Sequence, residues 1–172
     1  MNYPHLHLML NHVPVLGAFF SLALLAWALL RGSRELLRVA LVVTLVSGVS
    51  AWPAYLTGDE AHEQVEEFPG FDHDLTHEHE DAADFGLAAM LITAGAAGVA
   101  LWLGRGGREV PRWSRRAVLL IQLWSAATMA RTAWLGGGIR HDEARGALTS
   151  PPVAPTGATG GGGEHEDDGH SH

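Results

Sequence analysis

At 172 residues the chain has room for one domain of ordinary size with a core of its own. It has no cysteine, which excludes a disulfide framework and any thiolate metal site. The net charge is −8 and every basic side chain other than histidine is an arginine, a balance that argues against nucleic acid as a partner.

The mean hydropathy is only slightly positive, but the apolar residues are strongly segregated. The chain opens "MNYPHLHLMLNHVP", which sets His5, His7 and His12 in an otherwise apolar run. Pro14 has no amide proton, so it frees the carbonyl of Leu10 and favours a kink near His12. His5 lies one heptad before His12 and shares its helical face, whereas His7 points elsewhere.

Four long apolar stretches follow, at 13–30, 39–56, 85–103 and 117–135. Each is about 18 to 20 residues long, enough to cross a ~30 Å hydrocarbon core as a helix. A soluble bundle helix would show a polar face, and "FFSLALLAWALL" and "LAAMLITAGAAGVALWLG" do not. The first stretch is no cleaved signal peptide, because its arginines follow the apolar run instead of preceding it. The expected fold is all-α: an up-down four-helix transmembrane bundle over residues 1–145, with both termini outside. An outer loop is expected at 57–84.

The connection after the first stretch carries Arg31, Arg34 and Arg38, and that after the third carries Arg105, Arg108, Arg112, Arg115 and Arg116. Short arginine-rich loops face the cytoplasm. The expected location is therefore the bacterial cytoplasmic membrane, with the termini on the periplasmic side. Trp27, Trp102 and Trp113 fall near the inner interface and Trp52 and Trp134 near the outer one, while Trp124 is mid-span and expected to pack. On this map all 11 histidines lie on the outer side or at its interface. Histidine is the commonest metal ligand and also binds haem iron.

The loop "DEAHEQVEEFPGFDHDLTHEHEDAAD" sets His73, His77 and Asp81 at intervals of four. On a helix they share one face and suit a divalent cation; a solvated acidic loop is the equal alternative. Neither "HEQVE" nor "HEHED" is the HExxH of zinc proteases. In "MARTAWLGGGIRHDEAR", Arg131 sits inside an apolar run, and Arg140 and His141 follow a glycine turn. An intramembrane arginine is a functional candidate by default, with snorkelling to the headgroups as the alternative. Arg131 and Arg140 together suit an anionic group such as a pair of propionates, a phosphate or the nearby carboxylates. The tail, 146–172, is rich in Pro, Gly and His and is expected to be disordered.

The set "LNHVPVLGAF", "PAYLTGDEAHE", "HEHEDAA" and "MARTAWLGGGIRHDE" resembles a bacterial family of four-helix integral membrane proteins of unknown function. That family is similar in turn to a broader family of predicted membrane proteins that open with a His-x-Pro motif. The likeness runs from about Leu10 to Arg145 and leaves out the tail. It implies a candidate haem-ligand set of His12, His79 and His141.

Three functions fit these residues. The first is a haem b protein serving electron transfer: the first and third helices of an up-down bundle are diagonal neighbours, and roughly 12–14 Å between their axes accepts a haem plane. Here His12, with His79 or His141, ligates, and Arg131 and Arg140 hold the propionates. The second is a divalent-metal protein using His73, His77 and Asp81. The third is a non-catalytic accessory subunit of a larger membrane complex. No nucleophile–base arrangement or phosphate-binding loop marks an enzyme. The expected partners are the lipid bilayer and a redox partner or membrane complex.

Overall fold

The computed structural model describes residues 3–65 and 73–140. They form α1 (Tyr3–Leu10), α2 (His12–Arg31), α3 (Arg34–Val65), α4 (His73–Leu103) and α5 (Arg112–Arg140), and no strand occurs among them. The first two helices form one nearly continuous rod interrupted at Asn11. The interruption follows from Pro14, which cannot donate to the Leu10 carbonyl. On either side the backbone ladder continues, from the Asn11 amide to His7 O at 2.9 Å and from the Val15 amide to Asn11 O at 3.2 Å.

Gly32 ends α2 in the left-handed conformation, with φ of 63°, and turns its amide back to the carbonyls of Ala28 and Leu29. Ser33 then caps α3, its Oγ accepting from the Leu36 amide at 3.2 Å.

The helices at Tyr3–Arg31, Arg34–Gln64 and His73–Leu103 are long and apolar enough to cross a membrane. The fourth expected span, in α5, has the length but not the apolarity. The reason lies in its sequence: Gln122, Ser125, Thr128, Arg131 and Thr132 punctuate it. The helices also run beyond their apolar stretches. Residues 57–65 continue α3, and 73–84 belong to α4, so most of the expected outer loop is helix.

Each helix packs against the next in sequence, and α5 returns to α2, which closes a ring of four. Leu25, Leu37, Leu41, Ala97, Ala100 and Val118 fill one end of the core. Ala18, Ala51, Met90 and Met129 fill the other. Small residues bring the backbones close, as in helices packed within lipid. A Cβ built on Gly48 of α3 would stand 2.6 Å from the Met90 carbonyl oxygen of α4.

Between the two clusters runs a polar layer. Gln122 of α5 donates to Ala18 O at 2.8 Å and to Ser21 Oγ at 2.9 Å, both on α2. Thr93 of α4 donates to Ala89 O at 2.7 Å, so the 2.6 Å contact between Thr93 and Ser125 must use the Ser125 proton. Trp124, expected to pack inside, is instead 46% exposed, as the surface of a bundle in lipid allows.

Candidate functional site

A cavity of about 1120 Å³ opens at the end of the bundle where α1 lies, walled by all five helices. Its size is at or above the upper end for small-molecule sites. Its floor is the Met129–Leu87–Val15 side of the core, and its polar wall carries His7, His12, His62 and His79.

Two of these imidazoles are held in matching settings. His7 of α1 is partly buried, and its Nδ1 donates to the Ala54 carbonyl of α3 at 2.9 Å. Its ring lies against Gly58, one turn on from Ala54, where a Cβ would stand 2.9 Å from His7 Cε1. His79 of α4 is likewise partly buried, and its Nδ1 donates to the Thr132 carbonyl of α5 at 3.1 Å. Its ring lies against Gly136, one turn on from Thr132, where a Cβ would again stand 2.9 Å from the ring Cε1.

In each pair a carbonyl fixes the tautomer and a glycine four residues later makes room for the ring. A carbonyl only accepts, so Nδ1 carries the proton and the neutral ring keeps a lone pair on Nε2. Among the described residues nothing hydrogen-bonds to Nε2 of either ring. This is the preparation that a metal-ligating histidine needs.

The Ala54 carbonyl is shared: Thr57 Oγ1 also reaches it at 2.9 Å, and reaches Pro53 O at 3.1 Å. Across the seam, the Thr132 hydroxyl donates to Ala82 O at 2.9 Å and pins α5 to α4 beside His79.

The other expected residues are placed as follows. His12 lines the cavity but is exposed, its Nδ1 turned 2.6 Å from Leu8 O one helical turn back. Arg131 is exposed and does not line the cavity. Arg140 ends α5, while its side chain and His141 lie outside the described residues. His73 and His77 are exposed on the first two turns of α4, and Asp81 is exposed on the cavity wall. Among the described residues no group of three His, Asp or Glu side chains is drawn together closely enough to hold a metal ion.

His7 is the residue that sequence reasoning set aside. A signal for it exists: the buried residues of α2 include Ala28, Ser21 and Pro14, and one more heptad backwards gives His7.

The rest of the wall is acidic. Asp59, Glu63, Glu80, Asp81 and Asp84 line it without any arginine. Tyr55 donates to Asp84 at 2.6 Å and links α3 to α4. Glu80 receives two imidazoles: His62 pairs with its Oε1, and His77 Nδ1 lies 3.3 Å from its Oε2. The His62 and His77 rings stand edge to face, 6.4 Å between centroids. The site therefore joins two pre-oriented imidazoles, an apolar floor and an anionic rim. Comparisons with protein-family models, with curated proteins and with solved structures return no match for the chain.

Proposed function

We propose that the protein binds haem b in this cavity, with His7 and His79 as the ligands, and serves electron transfer in a membrane. The observation that carries the reading is the pair of matched settings, a carbonyl on Nδ1 and a glycine under the ring, in one cavity wall. Bound haem would supply a one-electron couple. The protein's part is to hold two neutral imidazoles in one tautomer, to enclose an apolar face with Val15, Leu87 and Met129, and to limit water. This ligand pair replaces His12 with His7 and keeps His79.

The membrane topology that goes with this reading is an up-down bundle with both termini on the periplasmic side of a bacterial cytoplasmic membrane. It is supported by the order of the helix contacts, in which His7 meets Ala54 while Gly17 meets Ser47. The arginine-bearing connections lie at the opposite end from the cavity. Kinship with the four-helix family of unknown function remains part of the proposal.

One observation favours a second reading, a divalent-cation protein. Glu80 stands between His62 and His77 in an acidic wall that draws cations, although the three side chains are not gathered closely enough to ligate one as they stand. An accessory-subunit role is compatible with either ligand.

The test is a visible spectrum of the full chain, expressed with ample haem and purified in mild detergent. A Soret band, with α and β bands that sharpen on dithionite reduction, is the expected result. A colourless protein overturns the haem reading, and metal analysis of the same sample then tests the second.

A further inference from the structure

A second concavity lies at the other end of the bundle. It measures about 300 Å³ and is lined by Leu29 of α2 and by Arg112, Arg115 and Arg116 of α5. Three arginines line this small space, Arg112 and Arg116 exposed and Arg115 half-buried, so its mouth carries a concentration of positive charge that attracts an anion. The protein supplies little compensation. Glu109 is the near carboxylate, and it is shared: Arg34 pairs with it, and Arg115 stands 3.7 Å away. Arg115 also spends its Nε on the Val110 carbonyl, at 2.6 Å. Among the described residues no carboxylate pairs with Arg112 or Arg116.

The surroundings are those of a lipid. Leu29 forms the apolar side of the concavity, and Leu30 and Leu120 are 82% and 66% exposed on the same two helices. Trp113, between the two unpaired arginines in sequence, is 64% exposed, as interfacial tryptophans are. The α2–α5 seam is also the thinnest of the four that close the bundle.

We propose that this concavity binds the phosphate of an anionic phospholipid, with Arg112 and Arg116 as the headgroup donors and the acyl chains along the α2–α5 seam. Guanidinium groups suit phosphate oxygens because their planar forks bond two at once. Basic pockets between transmembrane helices are known lipid headgroup sites. The site does not depend on what the cavity at the other end binds.

The experiment is native mass spectrometry of the full chain in detergent, offered phosphatidylglycerol or phosphatidylcholine with the same acyl chains. The wild type is expected to retain phosphatidylglycerol preferentially. Arg112→Gln and Arg116→Gln should each cut that preference by roughly fivefold, and the pair should abolish it. Arg131→Gln, on an arginine remote from the concavity, should leave it intact. Equal retention of the two lipids, or an unchanged preference in the double variant, overturns the proposal. So does full displacement of the lipid by millimolar inorganic phosphate, which would make the site one for a free anion. If the double variant does not fold, the two single variants decide between the same outcomes.

Discussion

The Nδ1 of His79 lies 3.1 Å from the carbonyl oxygen of Thr132, across the seam between α4 and α5. The bond orients a side chain from one helix by the backbone of another, so turning the imidazole costs an interhelix hydrogen bond. The same relation holds between His7 and Ala54 across α1 and α3. Four elements of the bundle thus fix two rings in one cavity. Under the proposed reading the nitrogen left to ligate is Nε2 in both rings, because Nδ1 is spent on a carbonyl.

His7→Ala and His79→Ala should each remove the six-coordinate haem spectrum, with haem retained per protein falling at least about tenfold. His12→Ala should keep the spectrum, since its ring is exposed and folded back on Leu8. Reduced-minus-oxidised difference spectra of the three variants check this. A spectrum lost in His12→Ala and kept in His7→Ala would put the ligand on the wrong histidine.

Gly58→Ala and Gly136→Ala probe the same site without touching a ligand. Each new methyl would stand 2.9 Å from an imidazole Cε1, a distance at which the ring must shift out of its place. A ligand held off its orientation costs about 10- to 100-fold in affinity. Haem titration of the two variants should show that loss, with unfolding temperatures in detergent close to wild type. Unchanged affinity in both would mean that the glycines serve packing alone.

The bundle was legible from the apolar lengths, and the polar content of α5 explains why one of four expected spans falls short. The candidate site was legible in part. His79 continues the buried α4 series of Ala100, Thr93 and Gly86 by one heptad, and His7 continues that of α2. The cavity is therefore an outward extension of the core stripes, where histidine follows a series of small residues. The hydropathy boundaries hid this, because they end where the polar residues begin and the helices do not. Pairing with Ala54 and Thr132 was not readable at all, since backbone acceptors carry no side-chain signature.

Gly48→Ala should be the most damaging of the glycine substitutions. Its Cβ would meet a backbone atom, the Met90 carbonyl oxygen at 2.6 Å, and a backbone cannot swing aside as a side chain can. Separating α3 from α4 to relieve the contact should cost about 1–3 kcal/mol. Thermal unfolding in detergent measures it, and a loss no larger than that of Gly95→Ala, where a Cβ meets nothing, would contradict the close approach.

Gln122 tests the polar layer. It is 1% exposed, its amide nitrogen makes two bonds, and its Oε1 has no partner. The neighbouring hydroxyl protons are committed: Ser21 to Ala18 O, Thr93 to Ala89 O and Ser125 to Thr93. Replacement by Met keeps the length and removes both the bonds and the unsatisfied oxygen. Bonds of this kind between membrane helices are worth about 0.6 kcal/mol each, while a buried acceptor left bare costs about 1–3 kcal/mol. Gln122→Met should therefore be neutral or stabilising, with an unfolding temperature in detergent at or above that of wild type. A clear loss would show that Oε1 is satisfied in the native protein, and that the layer holds a water or another donor at its centre.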